Sequence, residues 1–191
     1  MEHPYPQAPR CTIPIHKPRL REYAFFFASG ILVSIPFASF FESLYPSTTA
    51  LSSVLLIVVL APLIEELAKV FPLFYRHGET ERSIVTLGLL IGLGFGIAEF
   101  VSYVAFVGVS PIVRFPSIVF HSSSAVIASY GVAKKKPIPF YLLAALLHFA
   151  NNFFAVLNDL FSASLGLLVV LTTFLMGWRY WHKARKDVMI V

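Results

Sequence analysis

Two glutamates and a lysine stand in the stretch APLIEELAKVFPLFY, residues 61–75, which is otherwise almost entirely hydrocarbon. On a helix Lys69 lies four residues from Glu65 and three from Glu66, so its ammonium can reach either carboxylate. The two glutamates diverge by about 100° and cannot both point at one spot, so one can act while the other anchors. Farther along, GFGIAEFVSY carries Glu99, FHSSSAV carries His121, and LLHFANNFF carries His148 with Asn152 four residues later on the same helical face. A glutamate in a desolvated pocket is a general base for water, and a nearby imidazole can position that water or protonate a leaving group. His148 and Asn152 can donate hydrogen bonds to a developing oxyanion. Together they describe hydrolysis of a carbonyl, most naturally a peptide bond.

Other hydrolytic chemistries are tested by what the chain lacks. Its only aspartates, Asp159 and Asp187, fall at helix ends, so a pair of intramembrane catalytic aspartates is unavailable. Neither HExxH nor GxSxG occurs, and Cys11 lies outside the apolar runs. No cofactor is expected. If zinc or another divalent metal is present, Glu65, Glu99, His121 and His148 are its expected ligands. Each residue also has a purely structural reading: a lone intramembrane histidine as a hydrogen-bonding partner between helices, Lys69 as a partner of the glutamates, and Ser122, Ser123 and Ser124 as bonded back to their own helix. What favours a site is the convergence of carboxylates and imidazoles from successive segments.

The elements that position these groups are membrane helices. Of the 191 residues, 57% are hydrophobic and 13% charged, and the mean hydropathy is +0.76. That is more apolar than a soluble core needs. The fold class is therefore all-α, a polytopic transmembrane helix bundle. Six apolar runs, Tyr23–Phe41, Leu51–Tyr75, Ser83–Val109, Ile112–Ala133, Ile138–Leu157 and Phe161–Trp181, each suffice to cross a hydrocarbon core about 30 Å thick. Thirteen of the 15 basic residues fall on one side of this arrangement, leaving Arg114 on the other and Lys69 within the membrane. The positive-inside rule then puts both termini in the cytoplasm.

Residues 1–21 read as a cytoplasmic lead-in without a cleavable signal, 22–181 as the transmembrane domain, and 182–191 as a basic tail. Pro62 and Pro72 each free a carbonyl one turn earlier, expected at Val58 and Ala68. Gly88, Gly92 and Gly96 form a smooth stripe for close helix approach. Counting a rise of 1.5 Å per residue from the cytoplasmic ends places Glu65, His121 and His148 at about 15–18 Å depth and Glu99 at about 24 Å.

The motifs resemble those of a known family. EELAK at 65–69 resembles the EExxK motif of the PrsW-type membrane proteases, GFGIAEFVSY at 94–103 their second glutamate motif, His121 a third, and HFANN at 148–152 their HxxxN. The likeness runs from about residue 55 to 155 and keeps the order of all four motifs. The wider group is the superfamily of glutamate-dependent intramembrane proteases with the CAAX prenyl endopeptidases and the abortive-infection, bacteriocin-processing proteins. Prenyl endopeptidases carry a histidine where Glu99 stands, which favours the PrsW side. Phe100 departs from the asparagine common there.

The resemblance implies Glu65 as the water-activating base, tuned by Glu66 and Lys69. It implies that His121 or Glu99 helps hold the water, and that His148 and Asn152 stabilise the oxyanion. It also implies a membrane-anchored protein substrate, such as an anti-sigma factor, within a lipid bilayer, most naturally that of a prokaryotic cell. No nucleic-acid partner is expected, because the basic residues cluster at the ends of apolar runs. The competing classes are a CAAX-type or metal-dependent protease, a proton-coupled transporter, and a non-catalytic membrane binder.

Overall fold

A computed structural model describes residues 18–46, 48–75, 80–157 and 159–186. The expected lead-in lies largely outside the described residues, as does the end of the basic tail. Among the described residues the chain is helical and has no strand. Helix α1 spans Leu20–Ser43, α2 residues 50–75, α3 Glu81–Val107, α4 Pro111–Ala133, α5 Pro137–Leu157 and α6 Leu160–Lys183. Helices α1, α3, α4, α5 and α6 are, by length and composition, long and apolar enough to cross a membrane. Helix α2 is built from three contiguous pieces, Ala50–Leu55, Leu56–Leu60 and Ala61–Tyr75, and it carries the buried charges. The spans agree with those read from the apolar runs to within a few residues.

Side chains at the helix starts account for several of these boundaries. Thr49 and Thr80 each accept from the backbone N–H three residues on, at Ser52 and Ser83, both at 3.1 Å. Asp159 does the same for Ser162 at 3.0 Å, and the Ser162 N–H and hydroxyl together hold its carboxyl below the usual aspartate range. Between α3 and α4 the chain turns through Gly108, whose φ of 79° is the left-handed conformation that favours glycine.

Large apolar side chains such as Leu32, Phe106 and Leu160 cover the outside, while α4 is the most enclosed span. Helix α3 packs on α4 along the glycine stripe. A Cβ on Gly92 would lie 2.5 Å from the His121 carbonyl oxygen, and one on Gly96 would lie 3.3 Å from His121 Cβ. The stripe therefore sets the depth at which α4 presents its histidine to α3. A second close approach, between Gly30 of α1 and Gly94 of α3, brings α1 against the other side of α3.

Two prolines interrupt α2, and the structure shows where the freed carbonyls go. Pro72 releases Ala68 as expected, and the Ser34 hydroxyl of α1 donates to that oxygen at 2.9 Å. Pro62 behaves differently. The preceding turn, Leu56–Leu60, is π-helical, and the Ala61 N–H donates to Leu56 rather than Ile57. In this wider register the carbonyl opposite Pro62 is Ile57, five residues back, and not the expected Val58.

Gly92→Ala is expected to destabilise the bundle by about 1–3 kcal/mol, because backbone must move to admit the methyl group. Thermal unfolding of the purified protein in detergent, with Gly166→Ala as the control in open contact, measures this. Equal stability of the two variants would show that the stripe does not fix α3 against α4.

Candidate active site

Glu66 and Lys69, one turn apart on α2, are both fully buried. The lysine Nζ donates to Glu66 Oε1 at 2.5 Å and to Ser124 Oγ at 3.1 Å, and lies 3.0 Å from His121 Nδ1. An ammonium has three hydrogens and no lone pair, so these three partners satisfy it completely. The Phe95 ring, 5.2 Å away, covers another side. Lys69 therefore engages Glu66 and leaves Glu65 to face elsewhere. Of the serines expected to bond back along their helix, Ser122 reaches Ile118 at 2.7 Å and Ser124 the His121 carbonyl at 3.2 Å. Ser124 also donates to Glu66 Oε1 at 3.1 Å.

These contacts dictate the histidine tautomers. Because Lys69 can only donate, His121 accepts at Nδ1 and carries its proton on Nε2, which lies 2.6 Å from Glu99 Oε2. His148 is the reverse. Its Nδ1 lies 2.9 Å from Glu66 Oε1, so that nitrogen holds the proton and Nε2 presents a lone pair. Glu65 Oε2 lies 3.8 Å from His148 Nε2 and is buried without a hydrogen-bond partner. A carboxylate oxygen and an imidazole lone pair repel unless a proton, a water hydrogen or a cation lies between them. That pair is the reactive point of the cluster.

Helix α3 delivers Glu99 to the same level, although counting residues placed it deeper. The helix begins below the level at which its depth was counted. Glu81 accepts from Lys134 at 2.6 Å, and the Arg82 guanidinium donates to the Ala184 carbonyl at 3.1 Å, so the start of α3 lies level with the ends of α4 and α6. The other oxygen of Glu99 pairs with Arg114 of α4 at 2.5 Å. Counted from sequence only as the basic residue on the opposite side of the membrane, Arg114 is part of the cluster.

Asn152 has a partner on α2. Its Nδ2 donates at 2.9 Å to the Ile57 carbonyl, the acceptor that Pro62 leaves free in the π turn. Sequence reasoning also missed Glu42. This α1 carboxylate has a buried, unpartnered Oε1 and lies within electrostatic range of Glu99 and Glu65. The signal was an acidic residue directly after the first apolar run, read there as the start of a turn.

Residues 18–178 match the sequence model of the family described as PrsW family intramembrane metalloprotease. The chain belongs to that family. No curated protein and no solved structure gives a match. As a PrsW family member with several apolar spans, it is an integral, multi-pass membrane protein and a peptidase.

The family description implies a metal, and the donors present fit one. Glu65, His121 and His148 each offer an atom within 4.8 Å of the others, a set that suits a divalent cation. His148 already has the tautomer of a metal ligand, with Nδ1–H held by a carboxylate. His121 would have to give up its Nε2 proton. Glu99, expected as a fourth donor, lies outside the group and is occupied by Arg114 and His121.

Lys69→Met should cost about 3–5 kcal/mol, because it strands the Glu66 charge in the bundle interior. Adding Glu66→Gln should recover most of the loss. Denaturant titration of both variants in detergent decides this, and a double variant no more stable than the single one would refute the pairing.

Proposed function

We propose that the protein is an intramembrane endopeptidase that hydrolyses a peptide bond of a membrane-anchored protein, with Glu65 activating the attacking water. The observation that carries this reading is the unpartnered Glu65 Oε2 facing the bare Nε2 of His148, beside Glu66 and Glu99, which are paired with Lys69 and Arg114. Glu65 takes a proton from water as its oxygen bonds to the scissile carbonyl carbon. His148, held by Glu66, relays that proton to the departing amine nitrogen as the C–N bond breaks. Glu66, Lys69 and Ser124 keep the imidazole in the tautomer this relay needs. Asn152, with one Nδ2 hydrogen on Ile57, has a second N–H to offer the oxyanion.

A second reading is favoured by the donor group and the family description. Glu65, His121 and His148 would hold a divalent cation, which when bound polarises the scissile carbonyl and acidifies its water. In both readings the termini lie in the cytoplasm, residues 22–181 form the protease domain, and the substrate is a single-span regulator such as an anti-sigma factor, in a prokaryotic membrane.

The test is cleavage of a single-span reporter by purified protein in liposomes. Glu65→Gln should lower the rate by at least about a hundredfold, as loss of a general base does. Unchanged cleavage would remove Glu65 from the reaction, and flux of a solute that depends on Glu65 would replace hydrolysis with transport. Chelation followed by metal replacement separates the two readings. Loss with metal-specific recovery establishes the cation, and full activity after chelation establishes the metal-free route.

A further inference from the structure

Arg114 is joined to the centre of the cluster through one carboxylate. Its guanidinium lies 2.5 Å from Glu99 Oε1 and stacks 3.9 Å from the Tyr103 ring, while Glu99 Oε2 meets His121 Nε2 at 2.6 Å. Tyr103 lies four residues beyond Glu99 on α3, so one face of that helix supplies both the charge and the ring that hold the arginine. The arginine side chain is about a quarter exposed, and Glu99 and His121 lie progressively deeper, at 16% and 3%. The series runs inward from the edge of the bundle to the imidazole.

Two geometric facts give this pairing a purpose. The imidazole of His121 lies between Lys69, 3.0 Å from Nδ1, and the Glu99 carboxylate, 2.6 Å from Nε2, and it sits edge-on to His148 with ring centroids 5.2 Å apart. The charges also need it. Glu65, Glu66 and Glu99 face only Lys69 and Arg114, and without the arginine Glu99 would have no cation of its own to hold it at the histidine.

We propose that Arg114 is a positioning residue for the reaction: seated on the Tyr103 ring, it holds Glu99 at His121 and so, with Lys69 on the other nitrogen, fixes the orientation and the Nε2–H form of that imidazole. This rests on the hydrolytic reading above for its effect on rate, but the state of His121 can be read without any substrate. The role is one of outer support, for which losses of about 10- to 100-fold are usual.

The experiment uses the full chain in liposomes with imidazole-15N histidine, the His121 signal being assigned by its loss in His121→Asn. Wild type should show one protonated and one bare nitrogen for His121. Arg114→Gln should broaden and shift the Nε2 signal towards a mixture of states, and Arg114→Lys, which keeps the charge, should restore it in part. On a quenched-fluorescent single-span peptide in the same vesicles, Arg114→Gln should lower kcat about 10- to 100-fold with KM unchanged, and Arg114→Lys should recover part of that loss.

An unaltered His121 signal in Arg114→Gln overturns the proposal, and so does a rise in KM alone, which would place the arginine on the substrate. If Arg114→Gln does not fold, Tyr103→Leu removes only the stacking ring and must shift the same signal, and no shift there refutes the proposal. A peptide cleaved equally well by wild type and Glu65→Gln would sink the hydrolytic reading, and the nitrogen signals would then decide the positioning role alone.

Discussion

A lysine ammonium with no exposure to solvent is the constraint around which the bundle is organised. In hydrocarbon such a charge persists only if every hydrogen is accepted and its countercharge is adjacent. Lys69 meets this with Glu66 on its own helix and with Ser124 and His121 on α4. The requirement ties α2 to α4 at one depth. Glu66 then has spare acceptor capacity for His148, which brings in α5, and His121 has a second nitrogen for Glu99, which brings in α3. Four helices thus meet because one charge has to be satisfied. Glu65, one residue away and turned by about 100°, is the carboxylate this arrangement leaves without a cation.

The same logic explains why the glycine stripe on α3 matters chemically. His121 reaches Lys69 and Glu99 together only if α4 lies close to α3, and Gly92 and Gly96 are where the two backbones come nearest. Packing and polar satisfaction are therefore one problem here. Close helix contact removes the lipid and water that would otherwise compete for the buried groups.

Much of this was legible in the sequence because the signals were local. The i,i+3 spacing foretold that Lys69 can reach Glu66, the long apolar runs foretold the helices, and Pro72 foretold the orphaned Ala68 carbonyl that Ser34 caps. What escaped depended on partners far along the chain. Ile57 rather than Val58 is freed because the turn before Pro62 widens to a π register, with Asn152 of α5 supplying the donor. Nothing in residues 56–62 alone chooses between the two. Arg114 and Glu42 stand near the ends of apolar runs, where a charge reads as a boundary. Only the placement of Glu99 shows that both belong with the buried cluster.

Helix α5 is stitched to α2 on either side of its histidine. Asn152, one turn past His148 at about 6 Å, donates to Ile57, and Tyr141, about 10 Å the other way, donates through its hydroxyl to the Leu63 carbonyl at 2.8 Å. The Ile57 oxygen has lost its helical donor to Pro62, so parting the seam would strand it in hydrocarbon, whereas the Leu63 oxygen takes Tyr141 from outside its helix. The two bonds lock the register of α5 on α2, which keeps His148 of one helix opposite Glu65 of the other.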